Sequence, residues 1–228
     1  MHDEALAGKQ AAGAEAAALV EDGMVLGLGT GSTARWFIAA VGDLVRQGMS
    51  LTGVPTSLAS EMLAHDAGIP LVELGARGID LAVDGADSVD PDLRLVKGLG
   101  GALVREKIVA AAARRFVVVV DDGKLHPHLR GSVPVELVTF GWHATLAALE
   151  ATGAAFELRK GSDGEPMVSD NGNLIADGRF GTIEDPEGLA AQLDAVPGVV
   201  GHGLFLGMAD LVLAGRADGG VERRTAAG

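Results

Sequence analysis

Residues 84–107, DGADSVDPDLRLVKGLGGALVREK, concentrate groups able to move a proton. Asp84 and Asp87 are carboxylates, Lys97 is a cation, and Gly98, Gly100 and Gly101 leave backbone amides open to close approach. Glu106 adds a further carboxylate. Carboxylates serve as general acids and bases, and a lysine beside free amides can stabilise an oxyanion. The run 79–83 (IDLAV) predicts a buried strand, so Asp84 falls at its carboxyl end, the edge of an open α/β sheet where ligands bind. Beyond the glycines, the spacing of Leu103, Ile108, Ala111 and Ala112 predicts a helix over 102–113, with Glu106 in its first turns.

The second motif is Gly27-Leu28-Gly29-Thr30-Gly31-Ser32-Thr33, set between the short apolar run 24–28 and a helix predicted from about 32 to 47. Glycines let backbone N–H groups approach an anion, and a helix N-terminus favours its charge. Ser32 and Thr33 add neutral donors. The spacing is not G-x-G-x-x-G, and the next strand runs into Val54-Pro55-Thr56-Ser57 with no acid for a ribose, which argues against a dinucleotide. No lysine stands where a nucleoside triphosphate loop needs one. A monophosphate on a small molecule fits best.

These motifs need elements to hold them. An alanine-rich helix is expected over 3–21, strands over 24–28, 51–54, 70–74, 79–83 and 116–120, and helices over 32–47 and 55–67. Alternating strands and helices predict an α/β fold with a parallel sheet covered on both faces. From Val133 the pattern changes to strands over 133–138 and near Phe156 and Leu174, with helices over 142–151 and 186–195. That predicts a smaller α+β lobe over 131–203 beside a large domain of 1–130 plus 204–228. Strands are expected over 198–202 and 211–214, the latter returning to the large sheet, while 216–228 is expected to be frayed or a surface strand.

Composition narrows the function classes. In 228 residues, 18 Lys and Arg face 31 Asp and Glu, a formal charge of −13, which argues against nucleic acid as a partner. With no cysteine there is no disulfide, thiolate catalyst or thiolate metal site. The first ten residues lack an apolar signal core, and no run approaches the ~18 apolar residues of a membrane span, so a cytoplasmic protein is expected.

Each motif has a plainer reading. The first glycine loop could serve only tight packing, and Asp84-Gly85-Ala86-Asp87 could be a solvated turn. The second loop and its charges could be an exposed helix start, where Glu106 gains from the helix dipole in any case. Lys9 and Lys124 read as surface lysines on spacing alone. A magnesium site at the aspartates has no histidine partner nearby, and a metal pair at His126 and His128 is not expected. His2, His65, His143 and His202 are isolated.

Together, GLGTGST, DGAD and KGLGGALVREK resemble ribose-5-phosphate isomerase of the A type. Later stretches agree: Ser169 to Asp177 (SDNGNLIAD), Pro197 to Phe205 (PGVVGHGLF), and Ala209-Asp210. The resemblance implies an aldose–ketose isomerase of the non-oxidative pentose phosphate pathway, interconverting D-ribose 5-phosphate and D-ribulose 5-phosphate. It implies a Rossmann-like domain with a ferredoxin-like lobe, no metal or other cofactor, and a homodimer or homotetramer. It further implies that Thr30, Gly31, Ser32 and Thr33 bind substrate, with Ser32 and Thr33 at the phosphate and Lys9 and Lys124 near it. Asp84, Gly85, Ala86, Asp87, Lys97, Gly98, Leu99 and Gly100 would line the sugar, and Glu106 would be the base. Two departures stand out: Ser88 where the family commonly has an acid, and Gly123 where a hydroxyl residue often precedes the equivalent of Lys124.

The chemistry so implied is proton transfer between C2 and C1 through a cis-enediolate. Glu106 is expected to be the base, Lys97 with its loop amides the oxyanion stabiliser, Asp84 the group for ring opening and Asp87 the orienter of hydroxyls. An amino-sugar phosphate deaminase-isomerase would need a histidine for the leaving amine. A sugar-phosphate sensor of a transcription regulator would carry a basic DNA-binding segment ahead of the fold. A coenzyme A transferase would use a carboxylate nucleophile. Ketose formation from ribose 5-phosphate separates all three from the isomerase.

Overall fold

The computed structural model describes residues 2–225, and residues 1 and 226–228 lie outside that description. A strand turns successive side chains to opposite faces, so a run apolar at every position must be covered on both sides. Phe116-Val117-Val118-Val119-Val120 is such a run, and all of it is buried.

From the N-terminus the chain forms α1 (His2–Ala17), β1 (Val25–Leu28), α2 (Ala34–Arg46), β2 (Thr52–Pro55), α3 (Leu58–Asp66) and β3 (Leu81–Asp84). The short strands β4 (Ser88–Val89) and β5 (Leu95–Val96) precede α4 (Leu103–Ala112) and β6 (Phe116–Asp121). A 3-10 turn over Asp122–Lys124 leads to β7 (Leu129–Leu137), α5 (Trp142–Glu150), β8 (Phe156–Leu158), β9 (Leu174–Ile183), α6 (Pro186–Asp194) and β10 (Val199–His202). Then come β11 (Leu204–Phe205), β12 (Leu211–Gly215) and β13 (Val221–Arg224).

Six strands form one sheet in the order β13-β12-β6-β3-β1-β2, parallel except for the edge strand β13. Leu26, Leu28, Val117 and Val119 pack with Ala12 and Ala16 of α1 and Phe37, Ile38 and Val41 of α2. Val118, Val120 and Val212 pack on the other face with Val109 and Ala110 of α4. Each such Val, Leu or Phe side chain withdrawn from water contributes about 1.5–3 kcal/mol. The order also fixes where a ligand can enter. From β1 the chain moves outward to β2, whereas from β3 it moves the other way to β6. The loops after β1 and β3 therefore diverge and leave a crevice at the strands' carboxyl ends.

A second, antiparallel sheet has the order β10-β7-β9-β8, and Leu149 of α5 with Leu189 and Leu193 of α6 packs into its own apolar core. A three-stranded piece, β11-β5-β4, joins the two cores. In β5 and β11, Leu95 and Phe205 pack toward the large sheet, and the alternate residues Val96 and Leu204 toward the small one.

Some expectations are corrected. The strand expected over 70–74 is a single parallel bridge, Gly53 to Leu71, with Val72 and Leu74 exposed at the sheet edge. Pro70 has no N–H to donate, and nothing on the far side satisfies a further ladder. The first helix stops at Ala17. The strands expected from Val133 and near Leu174 are longer, nine and ten residues, because they pair with each other along most of their length. β4, β5 and β11 were not foreseen, each being two residues long. Of 216–228, residues 221–224 are the edge strand β13 and 226–228 fall outside the described residues. No helix among the described residues is long and apolar enough to cross a membrane.

Candidate active site

Asp84 is the last residue of β3 and is buried. Its Oδ1 accepts hydrogen bonds from the N–H groups of Thr30 (3.0 Å) and Gly85 (2.7 Å), which ties the loop after β1 to the end of β3. Gly29 allows this approach, since a Cβ there would collide with the Asp84 side chain. Gly31, at φ +117°, turns the loop into α2 through a conformation that L side chains rarely adopt.

Lys97 follows β5 and is 2% exposed. Its Nζ donates to the Gly85 carbonyl and lies 3.1 Å from Asp84 Oδ2 and 3.3 Å from Glu106 Oε2. The ring of Phe205 stands beneath it, 5.4 Å from Nζ to centroid, a cation–π contact. Glu106 occupies the first turn of α4, 3% exposed, with its Oε2 buried against that ammonium. The chain thus buries two carboxyls around one ammonium.

Burial would pull the Lys97 ammonium down, but the Asp84 and Glu106 carboxyls outweigh it and hold it at about 12. Burial raises both carboxyls, and Glu106 reaches about 8, with the nearby Asp84 charge adding to the rise and Lys97 opposing it. Two amides and the ammonium bind the Asp84 oxygens and oppose the rise that burial causes there, whereas the ammonium alone does so at Glu106 Oε2.

A cavity of about 130 Å³ opens above this group, lined among others by Thr30, Gly31, Ser32, Thr33, Gly85, Ala86, Asp87, Lys97, Gly98, Gly100 and Glu106. Lys9 and Lys124 line it, and Lys9 Nζ donates to Ser32 Oγ at 3.0 Å and lies 3.9 Å from Asp121 Oδ2. Thr30 Oγ1 meets Thr56 Oγ1 at 2.8 Å and Ser57 Oγ at 2.7 Å, bracing the loop against the end of β2. Asp87 accepts from the Leu99 N–H through Oδ2 at 3.1 Å, which pins the second glycine loop. A larger open groove of about 530 Å³ beside β2 and α4 has no buried acid–base set.

So the residues singled out in the sequence come together, with two qualifications. Asp84 lies beneath the cavity rather than on its wall, and the Leu99 side chain is half exposed outside it. Asp121 and Phe205 were missed. Asp121 ends the apolar β6 as Asp84 ends β3, a signal that was readable; nothing local marks Phe205.

Residues 52–219 match the model of the family described as ribose 5-phosphate isomerase A (phosphoriboisomerase A). The chain belongs to that family. The ribose-5-phosphate isomerase A of Chloroflexus aurantiacus is 50% identical over 213 residues, covering 91% of this chain and 89% of that protein. The solved ribose 5-phosphate isomerase A of Methanocaldococcus jannaschii superposes with a TM-score of 0.90 at 40% identity, covering 95% of this chain and 97% of the other. A D-ribose-5-phosphate isomerase solved in complex with phospho-erythronic acid superposes at TM-score 0.91 and 41% identity, with the same coverage. Over nearly its whole length the chain therefore has the ribose 5-phosphate isomerase A fold.

Proposed function

We propose that the cavity above Lys97 interconverts D-ribose 5-phosphate and D-ribulose 5-phosphate by proton transfer through a cis-enediolate. The observation that carries this is a cavity lined by Lys97 and Glu106 of the buried Asp84–Lys97–Glu106 group and also by Lys9, Lys124 and the residues that open α2. A sugar phosphate has the matching polarity. Its phosphate would sit over Gly31, Ser32 and Thr33, and its carbonyl end against Lys97 and Glu106.

Glu106 removes the C2 proton of the open-chain aldose, and the C1 oxygen takes up the electron pair. Lys97 at its ammonium, and the loop amides, stabilise that oxyanion. The O2 proton moves to O1, and Glu106 returns its proton to C1, leaving the C2 carbonyl of the ketose. A base lifted to about 8 is poised near working pH. Asp87 on the cavity wall suits ring opening and hydroxyl contacts better than Asp84, whose oxygens are taken up holding Thr30, Gly85 and Lys97. Asp84 then positions rather than touches the sugar, the reverse of the division the sequence suggested. In this reading residues 131–203 act as a lobe of their own, supported by the separate core under β7, β8 and β9.

The purified chain should form ketose from ribose 5-phosphate with EDTA present. No turnover overturns the reading. Removing both loop hydroxyls (Ser32→Ala with Thr33→Ala) should weaken ribose 5-phosphate binding by about 1–3 kcal/mol, the scale of lost bonds to a charged group. Unchanged affinity would move the phosphate elsewhere.

A further inference from the structure

The glycine loop that follows Lys97 is held from outside the cavity by a residue of the small sheet. Arg159 follows β8, and its side chain is 13% exposed. Its Nε and Nη2 donate to the two carboxylate oxygens of Asp177 on β9, a bidentate pair that fixes the plane of the guanidinium. From that fixed plane Nη1 donates to the carbonyls of Gly98 (3.0 Å) and Leu99 (2.9 Å). Arg159 faces a separate groove with Trp142 and Asp177 and does not line the cavity that contains Lys97 and Glu106. Both carbonyls are therefore drawn away from that cavity.

The consequence follows from peptide geometry. No cis peptide occurs among the described residues, and in a trans peptide the N–H points opposite to the C=O. With the Gly98 carbonyl turned to Arg159, the Leu99 N–H turns the other way, and it does so onto Asp87 Oδ2. With the Leu99 carbonyl turned to Arg159, the Gly100 N–H turns toward the cavity that Gly100 lines. That amide has no hydrogen-bond partner among the described residues. Gly98 at φ +99° and Gly101 at φ +86° let the loop take this shape, and the Gly101 N–H donates back to the Gly98 carbonyl at 3.0 Å, so Arg159 shares that carbonyl with the turn while it holds the Leu99 carbonyl itself.

We propose that Arg159 is a positioning residue for the isomerisation: through the Gly98 and Leu99 carbonyls it aims the Gly100 N–H at the oxygen that becomes negative in the enediolate. The inference rests on the isomerase reading above. The small sheet thereby takes part in catalysis without a residue of its own in the cavity, and Asp177 keeps the guanidinium in register.

The test uses the full chain and three variants: Arg159→Lys, Arg159→Ala and Asp177→Asn. Lysine keeps a cation beside Asp177 but cannot span four acceptors as the guanidinium fork does. With wild type active on ribose 5-phosphate, Arg159→Lys should keep its melting temperature within a few degrees, keep KM within about twofold and lose kcat about 10–100-fold. That is below the full loss of an oxyanion donor, since the amide is misaimed and not removed. Affinity for 4-phospho-erythronate, whose carboxylate mimics the enediolate oxygens, should fall by a similar factor while ribose 5-phosphate affinity holds. Added guanidinium should restore part of the kcat of Arg159→Ala, and Asp177→Asn should show the same split more weakly. A bolt between sheets would behave differently: lower melting temperatures with kcat and both affinities unchanged in Arg159→Lys overturn the proposal. If Arg159→Ala does not fold, Arg159→Lys and Asp177→Asn decide. An inactive wild type overturns the isomerase reading and this one with it, whereas an active wild type with unchanged variants overturns only the clamp.

Discussion

Two glutamates are buried among the described residues, and their surroundings differ in kind. Glu106 is packed beside an ammonium at 3.3 Å and opens onto a cavity. Glu136, in β7, is wholly buried and faces neutral donors: its Oε1 accepts from Ser169 Oγ (3.0 Å), Asn171 Nδ2 (3.1 Å) and Asn173 Nδ2 (2.8 Å). Glu136 Oε2 has no hydrogen-bond partner among the described residues, whereas Glu106 Oε2 lies against the Lys97 ammonium. Burial of an acid is therefore no mark of catalysis by itself. What separates the two is that Glu106 lines a cavity where substrate can stand. Glu136 instead organises the loop 169–173, which docks on the large sheet's helices: Asp170 accepts from the Leu58 N–H at the start of α3, and Arg105 of α4 donates to Asn171 and to the Asp170 carbonyl.

The same substitution at the two sites should give opposite results, and the largest effect belongs to Glu106. Glu106→Gln keeps the shape and removes the basicity, so kcat should fall by roughly 10²–10⁴ with KM little changed. In heavy water, wild type should exchange solvent deuterium into the transferred position and Glu106→Gln should not. Near-normal turnover in this variant would remove Glu106 as the base. Wild-type kcat/KM should climb with pH up to about 8 and then level off, since the base must be ionised. The linkage has the reverse sign. Burial lifts Glu106 from 4.5 to about 8, so the fold holds this proton more tightly than the unfolded chain does. That stabilisation is complete below about 4.5 and is lost as pH rises toward 8. Denaturant titrations should show Glu106→Gln gaining on wild type across that window, and parallel curves would contradict the raised value.

Glu136 should answer in stability first. Glu136→Ala strands three donors, each costing about 1–3 kcal/mol if left unpaired, and should lower the melting temperature well before it touches kcat. Glu136→Gln retains an acceptor at Oε1 and should be the mildest change of all, within about twofold in kcat. A loss of kcat in Glu136→Gln comparable to that of Glu106→Gln would erase the distinction between the two sites.

Much of this was legible in the chain itself. Apolar runs such as 116–120 and the glycine-rich turn after β1 predicted a parallel sheet with its ligand edge at Asp84, because burial on both faces and the need for open amides leave a local signature. Lys97 and Glu106 were readable for the same reason: glycines flank the one, and a helical run carries the other. The failures are equally physical. The 70–74 pattern pairs with β2 at a single bridge only, and β4, β5 and β11 are too short to have a period at all. Asp84 and Asp87 look alike in DGAD, and only the folded chain turns one beneath the cavity and the other onto its wall. Phe205 and Arg159 reach the site from far along the chain, and no spacing connects them to it, whereas Asp121 could have been read from the end of β6. Sequence determined which groups exist and which strand or helix carries each, since those are local consequences of burial and backbone freedom. The tertiary structure decided which carboxyls crowd the ammonium and which peptide faces the cavity, because desolvation and hydrogen bonding depend on neighbours that are remote in sequence.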